Sequence, residues 1–410
     1  MQTNLQKAHP LLYLTAFLCF CFLVSAIKAQ PTIEFSHQDI HFDGHYFHPG
    51  NNLRSLELFE GCGGIEFISA TGLAPARNYS VEFGSCNRLG DNYLDREIAV
   101  KQTSQGRITV IGSDNGVVRV LVNDAIHSAS IVHDNLFDEN INPPHLIRKI
   151  AILETSSGIL IISGSRDRTA KISKLNGECL ATLYHDDEVL SVAALESSQG
   201  SIIITGSGDR TAKIWNLDGE CLATFKCDEG AVLNIIPFEV SNKIIIITHL
   251  AGRKAKIWSS NGQCLATLEH GQEWIRSVAA IQRLDEILVV TGGDDGTAKL
   301  WASNGECLAS FVHDILRPNC RIDSVSLFAK RGDIYLITGA TNGLAKCWTL
   351  EGRNIFSLPH NDPIQLIKVL ELSNQDTIIA TASLNGRIIV WLPIDLWQQE
   401  FITKLSPIII

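Results

Sequence analysis

The sequence contains no cluster of basic residues. It has 34 lysines and arginines against 44 aspartates and glutamates, which gives a formal net charge of −10 at pH 7. Proteins that bind a nucleic-acid backbone need a basic surface, because each contact neutralises a phosphate. The charge balance therefore argues against nucleic-acid binding as the main role, and we expect no nucleic acid among the partners.

The common catalytic signatures are also missing. The sequence has no GxSxG motif, no GxxxxGK[ST] loop, no HExxH motif, no CxxCH motif and no adjacent pair of cysteines. These motifs place a nucleophile, a phosphate, a zinc ion or a cofactor in a defined local geometry. Without them, we expect a protein that is not an enzyme and that uses no cofactor.

Tryptophan and cysteine recur at nearly constant spacing. Five of the seven tryptophans are separated by 43, 43, 47 and 43 residues, at Trp215, Trp258, Trp301, Trp348 and Trp391. Four cysteines each lie in a G-(E/Q)-C-L-A-(T/S)-(L/F) run, at Cys179, Cys221, Cys264 and Cys307. Two earlier copies lack the tryptophan: one has Ser173 in its place, and the other ends at Leu121. The sequence thus contains seven copies of one unit.

The period and the pattern inside each copy are typical of a four-stranded propeller blade. In the Trp215 copy the predicted strands are VLSVAAL (189–195), SIIIT (201–205), TAKIW (211–215) and CLATF (221–225). Turn-forming residues such as Leu-Asp-Gly separate them. The second strands are continuous apolar runs, which predicts that both of their faces are buried between neighbouring blades.

The Trp215 copy resembles the repeat of the WD40 family, and the resemblance covers roughly residues 94–405. It has His185, Ser207, Asp209 and Trp215 at the positions of that family's structural tetrad. The resemblance implies an all-β fold, a seven-bladed WD40-like β-propeller with an N-terminal β cap, with eight blades as the alternative. It also implies that the tetrad forms a buried chain of hydrogen bonds inside its blade.

Other copies keep the tetrad only in part. The residues retained are His270, Asp295 and Trp301 in one copy; His360, Ser383 and Trp391, with Asn385 at the Asp position, in another; and His133, Ser165 and Asp167 in a third. The Trp258 copy has Cys227, Leu250 and Gly252 at the other three places. We expect two or three blades to be less regular than the Trp215 blade.

Residues 1–29 have the pattern of an export signal. Lys7 lies in a short polar stretch, residues 11–27 carry no charge, and small residues follow at Ser25, Ala26 and Ala29. A cleaved signal peptide predicts an exported protein, whether secreted, periplasmic or lumenal. The 17 uncharged residues are also at the short limit for a membrane span. An uncleaved anchor formed by residues 11–27 is therefore the alternative, and the only route to a membrane.

The remaining chain divides into three parts. Residues 30–92 are predicted to form a β cap or a degenerate extra blade, residues 93–405 the propeller, and residues 406–410 a tail. EFITKL (400–405) aligns with the ECLATL run, so we expect the last blade to supply its own fourth strand. Family members usually take that strand from the N-terminus, and this difference favours an extra element there.

The 11 cysteines give a mixed indication about the compartment. Cys179, Cys221, Cys264 and Cys307 occupy equivalent places in successive blades, too far apart to bridge, and are interpreted as small buried hydrophobic residues. Cys62 and Cys86 form the one candidate disulfide. A single bridge among many free thiols is unusual for an oxidising compartment.

A histidine-rich segment precedes the cap. In SHQDIHFDGHYFH (36–48), His37, His41 and His45 alternate with two aspartates and would project from one face of an extended strand. Such a face can hold a zinc-type ion or titrate near neutral pH. The alternative is a solvated face of an edge strand. We expect no bound metal and keep these histidines as candidates.

One propeller face is the candidate binding surface. Loops before the first strands and between the second and third strands meet there, and they carry Arg168, Arg210, Arg253 and Trp274. Arginine pairs bidentately with carboxylates, and tryptophan and arginine are enriched in interface hot spots. We therefore expect a scaffold that binds a protein or a peptide, in particular a mixed-charge peptide that bears a carboxylate.

The runner-up is an exported propeller enzyme or a metal- or ligand-binding protein. Its site would lie in the channel mouth or in the histidine-rich segment. Bound metal, or one deep pocket with converging polar groups, would favour this alternative.

Overall fold

The computed structural model describes 13 ranges of the chain. They are 32–35, 55–61, 64–70, 77–80, 86–88, 95–123, 129–133, 145–227, 229–314, 320–360, 362–372, 377–383 and 388–391. Every regular element in these ranges is a β-strand. No helix in the described ranges has the length and apolar character that a membrane crossing requires.

The strands form eight four-stranded antiparallel sheets, which we call blades 1–8. Seven of them consist of four consecutive strands. In blades 1 and 2 the strands are β2 (Ser55–Gly61), β3 (Gly64–Ala70), β4 (Arg77–Ser80) and β5 (Cys86–Arg88), then β6 (Asp95–Thr103), β7 (Gly106–Ser113), β8 (Val117–Val122) and β9 (Ala129–Val132). In blades 3 and 4 they are β10 (Ile147–Thr155), β11 (Gly158–Ser165), β12 (Thr169–Lys174) and β13 (Cys179–Tyr184), then β14 (Val189–Ser197), β15 (Gly200–Ser207), β16 (Thr211–Trp215) and β17 (Cys221–Lys226).

The remaining blades repeat this order. In blades 5 and 6 the strands are β18 (Val232–Val240), β19 (Lys243–Leu250), β20 (Lys254–Ser259) and β21 (Cys264–Glu269), then β22 (Ile275–Arg283), β23 (Glu286–Gly293), β24 (Thr297–Ala302) and β25 (Cys307–Val312). Blade 7 comprises β26 (Ile322–Lys330), β27 (Asp333–Ala340), β28 (Leu344–Thr349) and β29 (Asn354–Pro359). Blade 8 comprises β30 (Ile364–Glu371), β31 (Thr377–Ser383), β32 (Ile388–Trp391) and β1 (Thr32–Phe35).

The first strands of successive blades form a closed inner ring. Each of β2, β6, β10, β14, β18, β22, β26 and β30 contacts the next, and β30 contacts β2. Strands within a blade are joined by tight turns, so the blades radiate outward from this ring. The closed ring of four-stranded sheets is a β-propeller.

The core lies between neighbouring blades. The apolar second strands are buried, as the continuous runs predicted; β15, for example, is buried from Ile202 to its end. One cluster joins Ile162 and Ile172 of blade 3 to Val189, Val192 and Ile203 of blade 4. Burying one such aliphatic side chain contributes about 1.5 to 3 kcal/mol. Because every blade shares a cluster with its neighbour, the ring is stabilised throughout.

Blade 1 corrects the expectation of a cap. The seven sequence copies correspond to blades 2–8, and residues 55–88 add a complete four-stranded sheet to the ring. The eight-blade alternative is therefore the one that the structure shows. No feature of a separate cap is present in the described residues.

The closure of the ring corrects a second expectation. β1 pairs antiparallel with β32, with Thr32 opposite Trp391, and takes the fourth-strand place of blade 8. That blade is thus completed by the N-terminal end of the chain and not by residues 400–405, which lie outside the described ranges. The alignment of EFITKL with ECLATL compared sequence alone, and sequence similarity does not decide which of two segments pairs with an open edge.

Ion pairs connect the inner strands near the closure. Glu57 of blade 1 pairs with Lys368 of blade 8 at 2.8 Å, and Glu97 of blade 2 pairs with Lys149 of blade 3 at 2.6 Å. The buried Glu97 carboxylate raises the pKa of Lys149, so this amine stays protonated. The first pair joins blade 1 to blade 8, and the second joins blade 2 to blade 3.

Candidate interaction face

A buried hydrogen-bond network holds blade 4 together. His185 Nδ1 lies 2.8 Å from Asp209 Oδ2, and its Nε2 lies 2.7 Å from Thr205 Oγ1. Trp215 Nε1 donates to the same Thr205 hydroxyl at 2.8 Å. Thr211 donates to Asp209 through its backbone N–H and its hydroxyl, at 2.8 and 2.7 Å. The network thus ties the third strand to the second strand and to the loop that enters the blade.

Ser207 does not have the place that the family pattern assigned to it. Its hydroxyl donates to the carbonyl oxygen of Asp187 at 3.0 Å and accepts the Asp209 N–H at 3.1 Å. Thr205, two residues earlier, is the hydroxyl that joins the histidine to the tryptophan. Blade 3 behaves in the same way, since His133 Nε2 bonds to Ser163 at 2.7 Å while Ser165 donates to the carbonyl of His145.

The same threonine recurs in every blade that has the tryptophan. Each indole N–H donates to a threonine hydroxyl ten residues earlier, at 2.8 or 2.9 Å; the acceptors are Thr205, Thr248, Thr291, Thr338 and Thr381. A search for residues at a fixed distance from each tryptophan would have identified this row. The tetrad pattern points instead to the position two residues after each threonine.

The other networks are complete to different degrees. In blade 6, His270 lies 2.7 Å from Thr291 and 3.2 Å from Asp295. In blade 7, His313 Nδ1 lies 2.9 Å from Thr338, and Asn342 lies where blades 3, 4 and 6 have aspartate. His313 was not among the predicted residues, although it lies one period after His270. In blade 5 the histidine position holds Cys227, which is buried. In blade 8, His360 Nε2 contacts the backbone oxygen of Thr381 at 3.3 Å, while Asn385 lies outside the described residues.

The networks keep their carboxylates charged. Burial raises the pKa of Asp209, but hydrogen bonds from His185 and Thr211 outweigh it and hold the pKa well below the usual range. The same balance lowers the pKa of Asp295 to about 2. Carboxylates with these partners are saturated acceptors, which is the behaviour of structural groups and not of proton carriers.

The loops named in the sequence meet on one side of the ring, which we call the upper face. The turn between second and third strands is bonded there to the loop that enters the blade. Gly208 N–H donates to the Glu188 carbonyl at 2.9 Å, and Asp294 N–H donates to the Trp274 carbonyl at 3.0 Å. The turns between first and second strands lie on the opposite, lower face.

Arg168 and Arg210 occupy turns of the upper face in a left-handed backbone conformation, with φ of 71° and 68°. Blades 2, 6 and 7 have glycine at this place; the residues are Gly116, Gly296 and Gly343, with φ of 81°, 74° and 77°. The left-handed conformation costs a residue with a side chain roughly 1 kcal/mol relative to glycine. Blades 3 and 4 therefore keep arginine at a conformational cost.

Trp274 is a large exposed aromatic residue of this face. Its side chain is 52% exposed, and the Arg276 guanidinium lies 5.6 Å from the centre of its ring. Arg253, in the neighbouring blade, donates to Gln272 of the same loop at 2.9 Å. Of the four predicted binding residues, the structure thus brings Arg253 and Trp274 to one loop and places Arg168 and Arg210 in the two preceding blades.

An ion-pair chain next to Trp274 was not predicted. Arg276 holds both carboxylate oxygens of Asp294 at 2.6 and 2.7 Å, and Arg321 holds both oxygens of Asp323 at 2.5 and 2.8 Å. Arg321 also approaches Asp294, at 3.9 Å. The four charges come from blades 6 and 7, so no local motif contains them.

The cysteine ladder corrects another expectation. Cys179, Cys221, Cys264 and Cys307 are free and exposed, not buried. They begin the fourth strands, which form the outer edge of each blade and have solvent on one side. Cys62 and the side chain of Cys86 lie outside the described residues, so the candidate disulfide stays a prediction.

The metal candidates also stay predictions. His37, His41 and His45 lie outside the described ranges. Within those ranges, no group of three or more histidine, cysteine, aspartate or glutamate side chains is arranged to hold a metal ion.

Comparison with known proteins supports the repeat and the fold. The family model described as "WD domain, G-beta repeat" matches residues 177–216 and 262–302. No curated protein matches the chain significantly.

Three solved structures share the fold at low sequence identity. A computationally designed protein, Ika8, is 20% identical with a TM-score of 0.63, over 85% of this chain and 98% of its own. Sqt1 of Saccharomyces cerevisiae is 15% identical with a TM-score of 0.66, over 86% and 97%. BBS1N, solved in complex with ARL6DN, is 11% identical with a TM-score of 0.54, over 73% and 92%. The chain thus contains matched WD40 repeats at residues 177–216 and 262–302, and it shares the propeller fold of these solved structures.

Proposed function

We propose that the protein is a non-enzymatic scaffold that binds a protein or peptide partner through the upper face of its propeller. Arg168, Arg210, Arg253 and Trp274 are the proposed contact residues. The observation that carries the proposal is Trp274, a half-exposed ring held beside Arg276, which is itself fixed by Asp294. An exposed aromatic ring that is already ordered loses little conformational entropy on binding.

Two further observations support a binding role. The recurring aspartates and histidines of blades 3, 4 and 6 are hydrogen-bonded to each other inside their blades. This structural role explains why they recur, and a catalytic role is not needed. Arg168 and Arg210 keep side chains at turns where sister blades use glycine. A residue with a side chain that is kept in a strained turn conformation supports a hypothesis of function at that turn. Among proteins of similar fold, BBS1N was solved in complex with ARL6DN.

The variant Arg210→Gly distinguishes an effect on partner binding from an effect on folding stability. We expect the free energy of unfolding to stay the same or rise by up to about 1 kcal/mol, because glycine adopts this φ without strain. The binding free energy for the partner should weaken by more than about 1 kcal/mol in Arg210→Gly. We expect a loss of the same size in Trp274→Ala. The partner is first identified by a pull-down with the mature chain, and affinities are then measured by calorimetry.

Arg331→Gly is the matched control for this experiment. Arg331 also has a positive φ, 53°, but lies in a turn of the lower face. It should leave the affinity unchanged. If Arg210→Gly, Trp274→Ala and Arg331→Gly all bind as tightly as the wild type, the upper face is not the binding surface.

We also propose that the chain is exported. This proposal rests only on the sequence pattern of residues 1–29. The intact mass of the protein from its native host should correspond to cleavage after Ala26 or Ala29, with the product in the soluble fraction. Full mass in the membrane fraction would indicate the uncleaved anchor instead. Full-length soluble protein in the cytoplasm would contradict both forms.

A further inference from the structure

Blade 5 differs from its sister blades on the side that faces blade 6. In five other blades the second strand has glycine where it faces the next blade; these residues are Gly112, Gly164, Gly206, Gly292 and Gly339. A Cβ on any of them would lie only 2.5 to 2.8 Å from an aliphatic side chain of the next inner strand. Blade 5 has a buried histidine, His249, at this position. Its imidazole therefore occupies space that is closed between the other blades.

His249 lies at the seam between blades 5 and 6, where the inner strands stand apart. β18 and β22 are the least closely packed pair of neighbouring inner strands in the ring. His249 Nε2 lies 3.2 Å from the carbonyl oxygen of Ile275, the first residue of β22. Because a carbonyl oxygen only accepts hydrogen bonds, the neutral imidazole carries its proton on Nε2 and donates it across the seam.

Blade 5 also binds the other backbone group of Ile275. The Ile275 N–H donates to the carbonyl oxygen of Gly252 at 2.8 Å. Within the described ranges, this is the one backbone hydrogen bond outside the strand ladders that crosses from one blade to another. Gly252 has a φ of 138°, which residues with a side chain rarely adopt. His249 and Gly252 thus hold the N–H and the carbonyl of one residue, and we call this pair the Ile275 clamp.

The Ile275 clamp acts on the residue that follows Trp274. The Trp274 carbonyl accepts the Asp294 N–H at 3.0 Å, so the backbone of Trp274 is bonded to blade 6 directly and to blade 5 through Ile275. Arg253 adds a side-chain contact across the seam, to Gln272 at 2.9 Å. These bonds fix the backbone of the loop while the Trp274 side chain stays 52% exposed.

We propose that His249 and Gly252 are positioning residues for the binding face: they hold the Trp274 loop, residues 271–275, in the conformation that meets the partner. This inference rests on the proposed scaffold function and adds the residues that order its aromatic contact. It also gives blade 5 a role that the family tetrad would not allow, because an aspartate at position 252 could not adopt this φ without strain. An ordered loop loses less conformational entropy on binding than a loose one.

Hydrogen–deuterium exchange of the free protein tests the clamp in three variants and one control. His249→Gly gives blade 5 the glycine of its sister blades and removes the donor to Ile275, whereas His249→Gln keeps an N–H donor. Gly252→Ala strains the turn that supplies the carbonyl. Its matched control is Gly158→Ala, because Gly158 has a φ of 132° and the same open space around its Cβ position but lies in a lower-face turn of blade 3.

We expect the amides of residues 271–276 to exchange at least about tenfold faster in His249→Gly and in Gly252→Ala, because Ile275 loses one of its two partners. His249→Gln and Gly158→Ala should leave this exchange within about twofold of the wild type. Gly158→Ala introduces the same backbone strain elsewhere, so it separates the clamp from general destabilisation. Unchanged exchange in both His249→Gly and Gly252→Ala, or equal acceleration in Gly158→Ala, would overturn the inference.

Affinity for the partner obtained in the pull-down separates this inference from the scaffold proposal. His249→Gly and Gly252→Ala should bind that partner at least about fivefold more weakly, while His249→Gln and Gly158→Ala bind it as the wild type does. If Trp274→Ala weakens binding and the two clamp variants do not, the scaffold proposal stands and the positioning role is wrong. If Trp274→Ala and the clamp variants all bind normally, both proposals are wrong.

Discussion

Asp209→Ala is expected to lower the free energy of unfolding by about 3 kcal/mol. The carboxylate accepts hydrogen bonds from the backbone N–H groups of Asp186 and Thr211, from the Thr211 hydroxyl and from His185, all at 3.1 Å or less. Alanine leaves these donors without an acceptor in a largely buried setting. An unsatisfied buried polar group costs about 1 to 3 kcal/mol, and several are created here. Urea denaturation of the two proteins measures the difference.

Asp218→Ala is the matched control for Asp209→Ala. Asp218 lies in the exposed turn between the third and fourth strands of the same blade. Its removal should change the free energy of unfolding by no more than about 0.5 kcal/mol. An Asp209→Ala protein with the midpoint and slope of the wild type would show that the network does not hold blade 4 together.

The sequence contained most of the architecture because the blades repeat. Tryptophan and cysteine at a constant period marked blades 2–8 before any contact was known. Blade 1 has neither marker in the expected place, and its last two strands, β4 and β5, have only four and three residues. Pattern reading therefore could not separate a blade from a cap. Only pairing and contact with the neighbouring inner strands decide that question.

The hydrogen-bond networks inside the blades show a second limit of prediction from sequence. Thr205 and Ser207 are two residues apart on one strand, so their side chains lie on the same face. Composition cannot tell which hydroxyl reaches both His185 and Trp215. That choice depends on register: Trp215 is opposite Ile203, which brings its indole N–H to Thr205 across the strand pair.

The sequence predicted which residues lie on the candidate face, but not how their side chains are arranged there. Trp274 and the arginines could be named because loops between predicted strands share one face of a propeller. The approach of Arg321 to Asp294 links the ion pairs of two blades, and the bulges at Leu190 and Leu233 leave no mark in a single sequence. These features determine what the face can recognise, and they appear only once the strands are paired.

Acidification between pH 6.5 and 4 is expected to destabilise the protein through two buried histidines. Burial lowers the pKa of His249 from 6.5 to about 4. Burial, with help from the Lys346 charge, lowers the pKa of His313 from 6.5 to about 4 as well. His249 lies at a place where blades 4 and 6 have Gly206 and Gly292, and its Nε2 contacts the Ile275 carbonyl at 3.2 Å.

The direction of the effect follows from proton binding. Above pH 6.5 both imidazoles are neutral in the folded and the unfolded chain, so stability does not depend on them. Between pH 6.5 and about 4 the unfolded chain binds protons that the folded chain excludes, and stability falls as the pH falls. One pH unit corresponds to about 1.4 kcal/mol per group, so each histidine accounts for about 3 kcal/mol over this window. The network aspartates contribute only below about pH 3.8 and do not overlap with it.

His249→Gln tests this assignment directly. Glutamine keeps an N–H donor for the Ile275 carbonyl but does not titrate, so the variant should lose stability about half as steeply as the wild type between pH 6.5 and 4. His313 supplies the remaining slope. Urea midpoints at pH 7.5, 6.5, 5.5 and 4.5 measure both curves, and above pH 6.5 the two proteins should differ by a constant amount. If the two curves are parallel down to pH 4.5, His249 is protonated in the folded state and its burial does not drive acid destabilisation.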